Sequence, residues 1–326
     1  MEKPVSDAEW MAATARLAAR TYPMCRPNPG VAAVLVKEGR VLARGITQAT
    51  GRPHAEAMAL KDIEDGGAKG ATLYVTLEPC AHKSERGPAC SDLVIAAKPD
   101  RVVIGQLDPD ERTTRIGVSR IEAAGIAVTV LGDEHSRASL KGYLTREKLG
   151  RPYVTLKLAT SLDGRIALPD GSSQWITGEE ARAHVHANRA RQDAILVGGG
   201  TWRADKPRLD VRLPGLEDRS PERVLLTRGV IPEGVTVINE PTQISTLEGA
   251  QTLYVEGGAE AAASFLKEDL VDEIHLYRAP IVIGEGQSAL GDLGLDNLAD
   301  AHGRWKLSET RQLGSDTFTS YVRIRN

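Results

Sequence analysis

Apolar runs of strand length alternate with stretches of helical periodicity along the whole chain, and this alternation limits its possible folds more than any other feature. Ser6 with Glu9 forms a capping box ahead of an Ala-rich helix running to about residue 20. VAAVLVK and RVLARG read as strands joined by a tight turn at Glu38-Gly39. HAEAMALKDIED reads as a helix, ATLYVTL as a buried strand, and CSDLVIAAK as a helix that Cys90 opens. RVVIG, GVSRIEAAG and IAVTV continue as strand, helix and strand, and a helix is expected over 134–149. Such a pattern predicts layered α/β structure.

Gly150 followed by Arg151-Pro152 breaks the pattern, which sets a domain boundary between 1–150 and 151–326. Beyond it the strand YVTLKLA, the helix EEARAHVHANRAR and the strands DAILVGG and RVLLT follow. TLYVEGG, the helix AEAAASFLKEDL and a long strand EIHLYRAPIVI come next, and TFTSYVRIR is expected as a closing edge strand. At 326 residues the chain is comfortable for two domains, each able to bury its own core.

Composition removes several classes of function. A net charge of −3 gives no general attraction for nucleic acid or membranes, and 4% aromatic residues argue against a base-stacking surface. No apolar run reaches membrane-spanning length and MEKPVSDAEW lacks a signal-peptide core, so a cytoplasmic protein is expected. Three cysteines are too few for a disulfide framework in a chain this long. Cysteines near a histidine then read as metal ligands or nucleophiles.

Three segments converge on a metal. His54-Ala55-Glu56 opens a helix, Pro79-Cys80 follows a strand, and Cys90 opens another helix. Zinc takes nitrogen and thiolate ligands, and three protein ligands leave a fourth position for water, as in catalytic sites. Both cysteines are expected at helix starts, where free N–H groups favour the thiolate. Glu56 lies close enough to hydrogen-bond that water without ligating the metal; in zinc deaminases such a glutamate carries the water proton to the ring nitrogen and the leaving amine. His-Ala-Glu alone is a common helix start and Pro-Cys alone a common core cysteine, but together and in this order they point to Zn2+ held by His54, Cys80 and Cys90. A structural site would want a fourth ligand, which Cys25 could supply, although Cys25 reads better as a core or pocket residue.

Nucleic-acid and nucleoside deaminases carry two residues between their cysteines; here nine separate Cys80 from Cys90. With RPNPGVAAVLV, GRPHAEAMAL, YVTLEPCAH and IGQLDPD, this spacing resembles the deaminase domain of the bifunctional riboflavin-biosynthesis deaminase/reductase family over 1–150. The resemblance implies a cytidine-deaminase-like three-layer α/β/α domain, with Asn28, His82 and Asp108 in the substrate pocket. The chain departs from the family pattern at three places. Its loop is one residue longer and reads SERGPA, Thr47 stands where the family has a histidine, and Asp110 where it has an asparagine. Arg86 is the candidate for the family's basic loop residue.

In the second half, Gly198-Gly199-Gly200 and Gly257-Gly258 each follow an expected buried strand. Neither is a dinucleotide fingerprint, and a strand–GG–helix reads equally as an anion cradle or a tight turn. KLATSLDGRIA, SSQWITG, AILVGGGTWRADKPRLDVRLPG and LYVEGG through IHLYRAPIVIG nevertheless follow one another as in the reductase domain of the same family. That resemblance implies a dihydrofolate-reductase-like α/β domain using NADPH. It carries cofactor contact to Ala159, Trp175, Thr201, Asp205 and Thr227, and to Gly258, Ala259, Glu260, Ala261, Ala262, Ala263 and Ser264. Substrate contact falls to Ser173, Arg189, Leu209, Arg212 and Glu256, with the two arginines as phosphate or oxygen clamps. Lys206 either strengthens cofactor phosphate binding or faces water.

The expected reaction pair is deamination of a diaminopyrimidinone ribosylamino phosphate, then NADPH-dependent reduction of its ribosyl group to ribityl. The partners are small-molecule pyrimidine phosphates and further copies of the chain through the second half, with no nucleic acid or membrane. Two rivals stand beside this reading. Only one activity survives in the first, a reductase with a degenerate zinc domain; in the second, the N-terminal half is a non-catalytic zinc module.

Overall fold

Ser6 starts the first helix as its spacing to Glu9 requires. The Ser6 Oγ accepts from the Glu9 N–H at 3.3 Å, and the Glu9 carboxylate accepts from the Ser6 N–H at 2.8 Å. Two N–H groups that the first turn leaves open are thereby satisfied reciprocally. The computed structural model describes residues 5–82, 87–229 and 232–325, and the chain divides into units 1–150 and 151–326, each with its own main sheet.

The first unit runs α1 (Asp7–Ala18), β1 (Ala32–Lys37), β2 (Arg40–Ile46), α2 (Ala55–Leu60), β3 (Thr72–Leu77), α3 (Cys90–Ala97), β4 (Arg101–Gln106), α4 (Ile116–Ala123), β5 (Ala127–Val130), α5 (Glu134–Ser139) and α6 (Lys141–Leu149). Its sheet has the order β2-β1-β3-β4-β5, with β1 antiparallel to both neighbours and β3, β4 and β5 parallel. Glu38 and Gly39 make the β1–β2 turn with φ of 50° and 73°. Successive side chains of a strand point to opposite faces. Ala33, Leu35, Leu73, Val75, Val102 and Ile104 accordingly share one core with α2, α3 and α4, while Val34, Val36, Tyr74 and Val103 meet Met11 of α1. Helices cover both faces, giving three layers.

Two helices differ from expectation. The one expected over 134–149 breaks at Leu140 (φ −106°, ψ 6°), where the Ser139 hydroxyl takes the Ser136 carbonyl and Leu140 turns into the core. The helix after His54 stops at Leu60, because the chain then curls so that the Gly66 N–H reaches the Ala96 carbonyl at 2.8 Å.

The second unit contains β6 (Tyr153–Thr160), β7 (Arg165–Ala167), α7 (Glu179–Arg189), β8 (Ala194–Gly198), α8 (Gly199–Asp205), β9 (Glu222–Leu226), β10 (Thr236–Ile238), β11 (Thr252–Val255), α9 (Ala259–Lys267), β12 (Glu273–Arg278), β13 (Gln287–Ser288), β14 (Trp305–Leu313) and β15 (Asp316–Arg323). Eight strands form the order β10-β9-β8-β11-β6-β12-β15-β14, parallel from β10 to β12 and antiparallel beyond; β7 and β13 pair separately. Val154, Leu156, Leu196 and Leu253 pack under Phe265 of α9, and Ile195, Val197, Tyr254 and Tyr277 pack under Val185 of α7. Arg151 is buried and holds Asp272 through two hydrogen bonds of 2.7 and 3.0 Å, so this unit's first residue is tied into it.

Three expectations change here. The closing strand β15 lies inside the sheet, and the edge is β14, whose exposed, polar residues give no apolar alternation to read. The long strand at EIHLYRAPIVI ends at Arg278, because Pro280 has no N–H to continue the ladder. The polar connection after β8 contains α8.

Candidate functional site

His54 is the N-cap of α2, and its Nδ1 lies 3.6 Å from Cys80 Sγ and 3.3 Å from Cys90 Sγ. The three ligand atoms all fall within 4.8 Å of one another, and no other His, Cys, Asp or Glu among the described residues joins the group. Cys25 is buried elsewhere and supplies no fourth ligand. Cys90 begins α3 as expected, whereas Cys80 stands in an extended segment three residues past β3 rather than at a helix start. The helix end reaches it across space instead: the Cys90 N–H donates to Cys80 Sγ at 3.4 Å and the Ser91 N–H to the Cys80 carbonyl at 3.1 Å. The hydrogen bond from the Cys90 thiol holds the Cys80 thiol down at about 4, against burial, and the resulting thiolate with burial pushes Cys90 up. Burial resists charging His54, but the bond to Cys80 and the Glu56 charge outweigh it and raise its pKa. One imidazole and two thiols, one already a thiolate, are a donor set that fits zinc and leaves one coordination position for water.

Glu56, in the first turn of α2, is 3% exposed, and burial pushes its carboxyl up to about 7. It is hydrogen-bonded with Cys90, so it sits at the metal group. Asn28 donates to the Gly51 carbonyl at 3.0 Å and lies 3.4 Å from His54 Nε2, the ring nitrogen turned away from the thiols. Asp108 follows β4, and since β4 is parallel to β3 the loops carrying Asp108 and Cys80 leave the same end of the sheet. Burial pushes Asp108 up to about 6, and the Tyr143 hydroxyl donates to it at 2.7 Å. His82 is half-buried, with an Nδ1 that has no hydrogen-bond partner among the described residues. Thr47 is pinned to Val31, accepting its N–H at 3.0 Å, and the Asp110 carboxylate is engaged by Arg112. Arg86 lies outside the described residues.

In the second unit the parallel strands β8, β9 and β11 end together. A Cβ on Gly257 would lie 2.6 Å from the Ala261 Cβ and one on Gly198 3.1 Å from it, so both glycines let α9 start close against the sheet. The Thr201 hydroxyl accepts the Gly258 N–H at 3.1 Å, and a Cβ on Gly199 would lie 2.8 Å from Thr227 Oγ1. Thr201, Thr227 and Gly258 thus surround one corner at the strand ends, the usual place for ligands of open parallel sheets. Along 258–264 the roles divide. Ala259 and Glu260 lie at the open start of α9, and Ser264 donates its hydroxyl to the Ala261 carbonyl. Ala261, Ala262 and Ala263 are buried, and Ala262 has its N–H bonded to the Gly258 carbonyl and its methyl in the core. Asp205 and Lys206 are exposed at the end of α8, where Lys206 adopts φ 42°.

Arg189 is not an unengaged clamp. Its Nε and one Nη donate to Glu256 at 2.6 and 2.9 Å, and the other Nη to the Asp210 carbonyl at 3.0 Å. Lys157 lies 3.6 Å from the same carboxylate. Burial alone would raise Glu256, but these cations reverse that and hold it at about 2. Leu209 is buried with φ 57°, and Arg212 is half-exposed beside Asp210, on a cleft of about 460 Å³ shared with Arg208 and Ser220. Ala159 pairs with Tyr277 between β6 and β12. Ser173 and Trp175 lie on the loop after β7, where Trp175 is 64% exposed under the Arg182 guanidinium, 4.7 Å from its ring.

Comparison with known proteins decides the family. The sequence pattern of the cytidine and deoxycytidylate deaminase zinc-binding region matches 4–106, and that of the RibD C-terminal domain matches 152–251 and 242–319. Riboflavin biosynthesis protein RibD of Aquifex aeolicus is 36% identical, with 97% of this chain and 98% of that one covered. RibD of Escherichia coli is 35% identical, covering 96% and 98%. RibD from Acinetobacter baumannii superposes with a TM-score of 0.86 at 32% identity, over 98% of this chain and 99% of that one. The chain belongs to the RibD family. A Thermotoga maritima deaminase/reductase gives a TM-score of 0.84 at 30% identity, with the same coverage.

RibD proteins join a deaminase to a reductase, and the His54–Cys80–Cys90 group falls in the deaminase match, the Arg189–Glu256 pair in the reductase match. No described helix is long and apolar enough to cross a membrane. Lys157, Tyr143 and Arg52 escaped the reading from sequence. A lysine on an otherwise apolar central strand was a usable signal; Tyr143 lies 35 residues from Asp108 and gave none.

Proposed function

We propose that this chain performs two steps of riboflavin biosynthesis. The first unit hydrolytically deaminates 2,5-diamino-6-ribosylamino-4(3H)-pyrimidinone 5′-phosphate, and the second reduces the ribosyl group of the product to ribityl with NADPH. The observation that carries this reading is the metal-ligand group with Glu56 beside it, inside a chain aligned end to end with RibD proteins.

Zinc, when bound by His54, Cys80 and Cys90, supplies an activated water. Glu56, buried and balanced near 7, can take a proton from that water, hand it to the ring nitrogen and carry a proton to the departing amine. Water is consumed and ammonia leaves, so the balance closes without a redox partner. Asn28, His82 and Asp108 are assigned to binding and orienting the pyrimidine. In the second unit NADPH supplies the hydride. The corner of Thr201, Thr227, Gly258, Ala259 and Glu260 is assigned to its phosphates and ribose, since N–H groups in the first turn of α9 have no partner within the helix. Ala159 and Trp175 are assigned to the nicotinamide side. Ser173, Leu209, Arg212 and the Arg189–Glu256 pair are assigned to the substrate's sugar phosphate. Nucleic acid has no place in this reading.

Exposed Leu162, Ile281 and Val282 lie together, the Leu162 N–H bonded to the Ile281 carbonyl, and favour a homo-oligomer through this unit; a solution mass of one chain would refute it. A cytoplasmic location accords with the chemistry. One experiment separates this function from the single-activity reading. The diaminopyrimidinone phosphate is incubated with and without NADPH and the products are identified by mass. Ammonia and the ribosylamino-uracil phosphate are expected in both, and the ribityl compound only with NADPH. Absence of ammonia in both leaves a reductase alone.

A further inference from the structure

Arg52 stands two residues before His54, in extended backbone between Gly51 and the start of α2. Gly51 fixes where that backbone runs. A Cβ on Gly51 would lie 2.5 Å from Asn28, and its carbonyl accepts the Asn28 side-chain N–H at 3.0 Å. The guanidinium is therefore delivered from the pocket wall that Asn28 builds. One Nη comes within 3.8 Å of where a Cβ on Gly87 would stand, which places it alongside the segment leading into Cys90.

Among the described residues this cation has no counterpart. Its Nε is buried without a hydrogen-bond partner, and no carboxylate pairs with it among the described residues. A buried donor left open costs free energy and calls for a ligand or a functional reason. Other half-buried arginines are engaged: Arg101 with Asp7, and Arg189 with Glu256. With zinc bound, two thiolates and a neutral imidazole would leave the site near neutral, with no anion for Arg52 to balance. What fits an open guanidinium at the rim of such a site is an oxyanion, which the planar fork of donors grips in two-point fashion.

We propose that Arg52 anchors the 5′-phosphate of the deaminase substrate and so selects the phosphorylated pyrimidine over its unphosphorylated counterpart. This rests on the deaminase reading of the first unit. Arg52 is then a binding and specificity residue, and Glu56 remains the proton carrier.

The test measures ammonia release by wild type, Arg52→Gln and Arg52→Lys, with the phosphorylated substrate and with its 5′-hydroxyl counterpart. Arg52→Gln is expected to raise KM for the phosphorylated substrate by roughly 10- to 100-fold, the loss of a charge-assisted pair. Its kcat should stay within a few-fold and the 5′-hydroxyl substrate should be unaffected; Arg52→Lys should recover part of the loss. Zinc content and NADPH oxidation, measured on the same samples, report folding and metal loading. An unchanged KM, or equal loss on both substrates, overturns the proposal.

Titration calorimetry with ribose 5-phosphate keeps this separate from the parent reading. Arg52→Gln should lose one of the wild type's binding events, and identical isotherms overturn the proposal even if wild type releases no ammonia. Silence of the wild type in the ammonia assay, by contrast, sinks the deaminase reading itself.

Discussion

Each unit buries a glutamate at its candidate site, and the two are driven in opposite directions. Glu56 has a thiol group and the His54 ring beside it and no fixed cation bonded to it; burial dominates and lifts it to about 7. The Glu256 side chain is also largely buried, yet the Arg189 guanidinium and the Lys157 ammonium hold it at about 2. Desolvation is common to both, so the difference lies in the partners. A carboxyl near 7 can take and give a proton at neutral pH, whereas one near 2 is a fixed charge that orients cations and cannot shuttle protons. The same residue type thus serves as carrier in one unit and as framework in the other.

The largest expected effect tests the carrier. Glu56→Gln keeps the shape and removes the exchangeable carboxyl, so ammonia release should fall by about 10²- to 10⁴-fold. Zinc content and NADPH oxidation should be retained. A variant that deaminates at the wild-type rate would reduce Glu56 to a packing residue and support the non-catalytic zinc module.

Glu256→Gln tests the framework. It strands Arg189 and Lys157 without their anion, and breaking a buried pair from one side costs about 3 kcal/mol or more. Denaturant unfolding followed in the second unit should register that loss, together with a fall in NADPH oxidation. The pH dependence has a definite sign. The folded pKa lies below the ordinary 4.5, so the pair's contribution is complete above about 4.5 and is lost as pH falls from there through about 2. Glu256→Gln should flatten that acid limb. A loss below about 1 kcal/mol with an unchanged limb would make the pair incidental.

How far the sequence could carry this comparison depends on where each partner lies along the chain. His54 and Glu56 are two residues apart on one helix start, and Cys80 and Cys90 follow strand and helix signals, so the metal group was readable before any fold was known. The period-2 alternation of β1, β3 and β4 and the helix signals likewise made the layered α/β architecture legible. The Glu256–Arg189 contact spans 67 residues and joins two positions that the family resemblance places with the substrate, and no local pattern shows that they hold each other. Tyr143 was missed for the same reason, since a contact from a helix to a loop 35 residues away leaves no local pattern, whereas Lys157 was marked by its place on a central strand. The exposed edge strand β14 escaped because nothing apolar marks it. The helix start at Cys80 was misplaced because the N–H that serves this thiol belongs to Cys90, the first residue of α3, ten residues on.

A third buried carboxyl falls between the two extremes and gives the smallest, sharpest test. Asp108 is lifted by burial to about 6, while the Tyr143 hydroxyl and the Asp110 N–H pull it down without any cation. Hydrogen bonds alone therefore leave it nearer to Glu56 than to Glu256. Because its folded pKa lies above the ordinary 3.8, the folded chain holds a proton that the unfolded chain releases, and its effect is a loss of stability as pH rises from about 4 to 6. Tyr143→Phe removes one stabilising donor of the charged form, worth about 1 kcal/mol, and should move the Asp108 titration upward by roughly half a pH unit or more. The carboxyl resonance followed by NMR against pH measures this directly, and the pH range of stability loss should extend upward with it. If the titration stays near 6 in Tyr143→Phe, burial alone sets this carboxyl, and hydrogen bonds without charge count for little in separating a carrier from a framework residue.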